Sequence, residues 1–299
     1  GKVLYSGEHE SLKEAVKENS DIDGLFDNLD LSEADLVGAD LSKTVLPNAS
    51  LAGADLSSAS LARANLAGAN LARANLAHAD LSGTNLPNAN LAGANLPNAN
   101  LAGAYLFNAN LACANMARAN LAGVNLSNAN LSDAYLTRAY LTRANLAGAN
   151  LSGASLTHRA NLARANLSDA DLTSTDLSCA DLSNATLARA TLARANLADA
   201  NLAGANLPDA DLTRANLTGA NLVSANLAGA NLAGANLADA NPAGAKVGFG
   251  SDQACLAGTR PIVQLGPIGP RNGWLLVFWC TDAREALNKS TSDQRRANP

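Results

Sequence analysis

Residues able to do chemistry are sparse in this sequence. The chain of 299 residues has three histidines, His9, His78 and His158, and four cysteines, Cys113, Cys179, Cys255 and Cys280. No nucleophile, base and acid form a triad pattern, no carboxylates pair as acid and base across a cleft, and the recurrent glycines do not form a phosphate-cradling loop. Asp169, Asp171, Asp176 and Asp181 make an acidic group. Most of them sit where Asp is an ordinary residue of this sequence and need no functional explanation. The denser signal is one of recognition. Arg118, Tyr135, Arg138, Tyr140, Arg143, His158, Arg159 and Arg164 crowd one stretch, and Arg and Tyr are enriched where protein partners make their strongest contacts. The expectation is an interaction patch, with no catalytic residue, no metal ligand and no cofactor.

A five-residue repeat must position that patch. Leu stands at every fifth position from Leu31 to Leu156 and again, after one extra residue, from Leu162 to Leu237, with Met116 the one replacement. Such a period matches neither a helix nor a strand, so the chain has to turn in every repeat. Two positions before each Leu is a small residue, usually Ala, with Leu29, Thr44, Thr84, Val124 and Thr175 as exceptions. Residues two apart in extended backbone share a face, so Leu and Ala both point inward. The other three positions, rich in Asn, Asp, Ser, Thr, Arg and Gly, read as a solvated exterior.

The two residues after each Leu read as the centre of a β-turn. Leu46-Pro47-Asn48, Leu86-Pro87-Asn88, Leu96-Pro97-Asn98 and Leu207-Pro208-Asp209 put Pro first, and Gly is frequent in second place. That order suits a type II turn, whose second central residue needs a positive φ. Arg63, Arg73 and Arg118 in that second place would be strained, so a mixture of turn types is expected. The extra residue falls in Leu156-Thr157-His158-Arg159-Ala160-Asn161-Leu162, where a turn can absorb it as a bulge that re-aims its neighbours.

The repeated Ala-Asn/Asp-Leu followed by two turn residues resembles the motif of the pentapeptide-repeat proteins over most of the chain. The resemblance implies an all-β fold, a right-handed quadrilateral β-helix in which four pentads close one square coil. The rod would be about 50 Å long at the spacing of neighbouring strands. Residues one coil apart would stack in columns. His78, Asn98, Arg118, Arg138 and His158 form one column, Arg143 and Arg164 share the next, and Tyr135 and Tyr140 lie in the coil of Arg138. His78 and His158 would then stand about 19 Å apart, too far to share a metal ion. The family also implies an alternative function, a DNA-mimicking inhibitor or protector of DNA gyrase and topoisomerase IV of the quinolone-resistance type. In those relatives a long acidic face imitates duplex phosphates. This chain departs from that pattern, since Arg interrupts its faces and its central residues are Leu with almost no Phe.

Four segments are expected. Residues 1–28 form an N-terminal cap with a short strand, Val3-Leu4-Tyr5, and a helix opened by Ser11 and Glu14 as a capping box. Residues 29–247 form the solenoid, though Phe26 is already in register with Leu31. Residues 248–282 form a C-terminal hairpin cap, with strands at Pro261 to Leu265 and Trp274 to Trp279 around a turn from Gly266 to Gly273. Residues 283–299 form a polar, disordered tail. The charge of −5, from 21 basic and 26 acidic residues, argues against non-specific nucleic-acid binding. No apolar run is long enough for a membrane span, and the N-terminus lacks the pattern of a signal peptide. The expected protein is a cytoplasmic, non-enzymatic scaffold or interaction rod. It would bind an unidentified protein through its faces or ends, the ends also being open to homo-oligomerisation.

Overall fold

The computed structural model describes residues 27–246 and the backbones of two strands, Arg260–Ile268 and Gly273–Thr281. The expected N-terminal strand and helix and the polar tail lie outside the described residues, as does Phe26.

Between residues 27 and 246 the chain turns in every pentad and meets the following coil in parallel. Asp30 lies opposite Ser50, Asp35 opposite Asp55, Asp40 opposite Ser60 and Val45 opposite Asn65. Four pentads therefore close one coil of a right-handed quadrilateral β-helix. At the extra residue the step lengthens by one for a single coil, with Tyr140 opposite Asn161 and Ser155 opposite Asp176, and then reverts as Asn161 meets Asp181. A one-residue slip along an ordinary strand would turn every later side chain to the wrong face. Here a turn takes up the extra residue, and Leu156 and Leu162 on either side are both fully buried.

The repeat is dictated by its amides, as residues 65–69 illustrate. The N–H of Leu66 donates to the Asn85 carbonyl of the following coil at 2.7 Å, and that of Gly68 to the Pro87 carbonyl at 2.9 Å. Asn65 donates back to the Thr44 carbonyl at 2.8 Å, and Ala69 closes the turn on the Leu66 carbonyl at 3.0 Å. The remaining amide, that of Ala67, donates to Oδ1 of the Asn65 side chain at 3.2 Å. Each amide has an acceptor, and the acceptor for the first turn residue is the Asn or Asp two positions earlier. Val45 stands at this position before Leu46-Pro47, where the turn residue is a proline with no N–H to satisfy.

The same Asn side chains are half-buried and join one another along the rod, which corrects the reading of that position as plain solvated exterior. Nδ2 of Asn75 donates to Asp55 at 3.0 Å, that of Asn95 to Asn75 at 3.2 Å and that of Asn115 to Asn95 at 3.0 Å. Every such ladder runs the same way, from each amide to the coil before it. Asp55, Asp80, Asp176 and Asp181 head ladders, accepting from Asn75, Asn100, Asn196 and Asn201. A carboxylate suits the head of a ladder because it accepts and has no NH₂ of its own in need of an acceptor.

The expected mixture of turn types is not found. The second turn residue has a positive φ throughout, 58° at Arg63, 59° at Arg73 and 59° at Arg118, with the first turn residue closing no positive φ of its own. A non-glycine residue in this region costs about 1–2 kcal/mol. It is held there because its amide must reach the next coil, as Arg118 reaches the Thr137 carbonyl at 2.9 Å. At some corners glycine also leaves room for the preceding coil, since a Cβ at Gly153 or Gly229 would collide with the side chain of Asp133 or Asp209, whereas Gly103 and Gly123 face open space.

The interior is one column of Leu with Ala, both inward as expected and almost without solvent contact. A fully buried Leu contributes about 1.5–3 kcal/mol before chain entropy is set against it. The inward threonines Thr44, Thr84 and Thr175 donate their hydroxyls to the carbonyls of Leu41, Leu61 and Leu151, and no buried side-chain polar atom among the described residues lacks a partner. Near the end of the ladder Pro242 occupies a Leu site, and the N–H it lacks is the one that elsewhere reaches the following coil. Beyond it, β1 (Arg260–Ile268) and β2 (Gly273–Thr281) pair antiparallel, with Ile262 opposite Trp279 and Pro267 opposite Trp274. The strands are longer than expected, because Gly266, Pro267 and Ile268 continue β1 instead of opening the turn.

Two measurements check this account. Leu136→Asp buries an unpaired carboxylate among Leu and Ala, so the rod should lose its cooperative β-type melting transition by circular dichroism; wild-type melting would refute the inward assignment. Asn95→Ala and Asn90→Ala each remove one ladder bond given to an Asn and one accepted from an Asn, but Asn90 also accepts from the Ala92 amide at 3.2 Å whereas Asn95 precedes Pro97. Urea unfolding should show Asn90→Ala to be the more destabilising by about 1 kcal/mol, and equal losses would refute the role assigned to the side chain.

Candidate interaction site

The turns build four corners along the rod, and each corner is a column of second turn residues. Arg118, Arg138 and the pair His158 and Arg159 succeed one another down one corner, since Arg118 donates its amide to Thr137 and Arg138 to Thr157, the latter at 3.1 Å. Arg143 and Arg164 do so down the adjacent corner, the Arg143 amide reaching the Ala163 carbonyl at 3.0 Å. Tyr140 lies on the face between these corners, and Tyr135 on the face on the other side of Arg138. Both tyrosines take the position that elsewhere holds a half-buried Asn, but their side chains cannot cap the turn and stand out into solvent, 58% exposed at Tyr135 and 57% at Tyr140. The Asn ladders on both faces therefore stop at the tyrosines and restart at Asp176 and Asp181.

The extra residue opens the corner. His158 and Arg159 both have positive φ, 56° and 68°, where every other corner turn has one such residue. The amides of His158, Arg159 and Ala160 take no part in the backbone ladder, which resumes with Asn161 donating to the Ala139 carbonyl at 2.9 Å. Nδ1 of His158 lies 2.8 Å from the Thr157 hydroxyl, which in turn lies 3.2 Å from the Thr137 hydroxyl. Beside the bulge is a hollow of about 500 Å³, lined by Arg138, Tyr140, His158, Arg159 and Cys179. Of the eight residues expected in the patch, four line this hollow. Arg118 sits one coil before it, Tyr135 on the neighbouring face, and Arg143 and Arg164 on the adjacent corner.

Cys179 is the member that sequence reasoning missed. Its place in the hollow follows from carrying the one-residue shift through the register, which sets Cys179 at a second turn position on the column of Arg138. Both cysteines are exposed free thiols. His78 lies four coils from His158 on the same corner and has no part in the hollow. No group of three or more His, Cys, Asp or Glu among the described residues could hold a metal ion.

Charge pairing on a third corner gives a contrast. Arg189 donates Nε and Nη2 to the two oxygens of Asp169, each at 2.7 Å. The Arg189 hydrogen bond lowers the Asp169 pKa, and Asp169 first and Asp209 after it raise that of Arg189. Asp55 is also lowered, by the Ser57 amide foremost and then by the Ser57 hydroxyl and Asn75. A carboxylate with a lowered folded pKa contributes stability that is present above its unfolded pKa and lost as pH falls through the folded value. Side-chain carboxyl NMR should therefore show Asp55 and Asp169 titrating below 3.8, with the folded state losing their contribution only on the acid side. Arg189→Ala should move the Asp169 midpoint upward and leave that of Asp55 in place.

Comparison with known proteins agrees with this geometry. The family model "Pentapeptide repeats" matches in eight copies over residues 25–61, 49–86, 87–123, 119–157, 158–189, 195–232 and 225–246, with one junction falling at the extra residue. Among solved structures, the chain is similar to HetL, a pentapeptide repeat protein involved in heterocyst differentiation regulation from the cyanobacterium Nostoc sp. strain PCC 7120. The identity is 35% over 81% of this chain and 97% of that one, with a TM-score of 0.51. It is also similar to a trypsin-treated variant of QnrB1, a plasmid-mediated fluoroquinolone resistance protein, at 20% identity over 61% of this chain and 89% of that one, with a TM-score of 0.51; this likeness shows the fold alone. No curated protein matches the chain significantly. With the repeat matched along the whole ladder and HetL covered almost from end to end, the chain belongs to the pentapeptide-repeat family.

Proposed function

We propose that this protein is a non-enzymatic interaction rod that binds a protein partner through the corner carrying Arg118, Arg138, His158 and Arg159 and the Tyr140 face beside it. The observation that carries this reading is the bulge. It breaks an otherwise uniform ladder and adds a second left-handed residue, a strain of about 1–3 kcal/mol. What it produces is an open hollow lined by Arg138, Tyr140, His158 and Arg159. Strain kept at one turn of a regular rod, with exposed Arg and Tyr around it, favours recognition over packing. HetL, the relative at 35% identity, is a protein involved in regulation, in keeping with action by contact. The two exposed free thiols, Cys113 and Cys179, suit the reducing cytoplasm.

The full chain used as bait in a cell extract at low salt should retain a protein that an Arg138→Glu, Arg143→Glu double variant loses while melting at the same temperature, since exposed charges contribute little to folding. Undiminished retention would reject the patch. The topoisomerase reading predicts instead a dense acidic column. A duplex presents a charge about every 1.7 Å of axis, whereas Asp and Glu here are spread over several faces with Arg between them. Micromolar protein should leave gyrase supercoiling unchanged. Inhibition abolished by neutralising Asp171, Asp176 and Asp181 would make the DNA mimic the better reading.

A further inference from the structure

We infer that the hollow at the bulge is a carboxylate-binding site that seats an acidic segment of the partner protein, with the guanidinium groups of Arg138 and Arg159 as its anchors. This deepens the interaction-rod reading and rests on it. The hollow is lined by two arginines, a histidine, a tyrosine and a cysteine, without a carboxylate among them. Arg forks match carboxylate oxygens in a bidentate fashion, and this chain itself uses that match where it neutralises Arg189 with Asp169. No ion pair joins Arg138 or Arg159 to a carboxylate of the described residues. Of the acids nearest in the fold, Asp176 and Asp181 accept from the amides of Ser178 and Ser183 and from Asn196 and Asn201, and Asp199 stands on the same corner one coil beyond Cys179, outside the lining of the hollow.

Geometry favours a peptide over a lone ion. The hollow of about 500 Å³ exceeds what a single small anion fills. One wall is the exposed ring of Tyr140, an apolar plane that suits the backbone or an aliphatic stem of a bound chain. Arg118 continues the corner to one side, and Arg143 and Arg164 line the neighbouring corner, so several acidic side chains in sequence would each meet a cation. The local cluster of Arg118, Arg138, Arg143, Arg159 and Arg164 also steers an acidic partner toward the hollow.

The test uses the full chain and a fluorescein-labelled peptide of alternating Glu and Gly, followed by anisotropy at low salt. The Glu peptide should bind, its Gln counterpart should not, and Arg138→Glu with Arg159→Glu should weaken binding by about tenfold or more with an unchanged melting temperature. Bound peptide should also slow alkylation of Cys179, read by mass spectrometry, and leave that of Cys113 unchanged. Several results would overturn the assignment: no binding of the Glu peptide, equal binding by the double variant, full competition by an equal concentration of inorganic phosphate, or tighter binding of duplex DNA to the same residues. Arg138→Lys and Arg159→Lys keep the charge but lose the fork, so retention of full affinity by that pair would reduce the site to a diffuse positive surface and reject it as well. A partner captured from extract equally by wild type and the Arg138→Glu, Arg159→Glu variant would leave the interaction rod standing and remove only this role of the hollow.

Discussion

The amide hydrogen bond to a neighbouring coil is the constraint from which the rest of this protein follows. A chain that turns in every pentad cannot form a helix or a long strand, yet buried backbone groups must still be paired. The solution sends the Leu amide and the second turn amide forward one coil, the amide before Leu back one coil, and the amide after the turn onto its own Leu carbonyl. One amide per pentad is left over, and only a short side chain with an oxygen two residues earlier can reach it. Asn or Asp at that position is therefore a backbone requirement as much as a surface preference. The positive φ at the second turn residue has the same origin, which is why Arg, His and Cys occupy a conformation that glycine would take more easily.

From this follows a division of labour among the five positions. Leu and Ala supply burial, and the small position also takes Thr84, Val124 and Thr175 without solvent contact. The pre-Leu position supplies the cap and the ladder, with Asp at several ladder heads and Asn at the others and along their length. The second turn position alone can vary widely without breaking a bond, because its amide makes the contact and its side chain points to solvent. Corners are consequently where this family of folds can acquire chemistry. In the present chain the charged and nucleophilic residues Arg138, His158, Arg159, Cys179 and Arg189 are all corner residues.

The period alone makes legible a turn in every pentad and the inward Leu and Ala, because both depend on near neighbours in sequence; the four-pentad coil is what the family resemblance implies, and the hairpin strands are legible from their apolar runs around a Gly/Pro turn. The Asn ladders were not legible as structure. The bond from Asn75 to Asp55 joins residues on different coils, and its partner is apparent only once four pentads are known to close a turn. The uniform turns were misjudged for a related reason. Intrinsic preference speaks against Arg63 at positive φ, and a coil-to-coil bond that outweighs it cannot be seen from the pentad alone. At the site, Arg138, Tyr140, His158 and Arg159 were legible as types and spacing. Their meeting with Cys179 required carrying the one-residue shift at Arg159 into the next coil.

That shift also shows how a regular rod admits a specific site. In a compact domain an inserted residue propagates strain through a shared core. In a solenoid each coil contacts only its neighbours, so the cost is local. The lengthened step is confined to the coil from Tyr140 to Ser155 and their partners, and the column of buried Leu passes it undisturbed. The affected turn gives up its place in the ladder, and two side chains emerge where one would otherwise stand. The uniformity of the other turns is what makes this a site: a hollow lined by Arg138, Tyr140, His158, Arg159 and Cys179 arises because every coil around it holds its geometry while one corner does not.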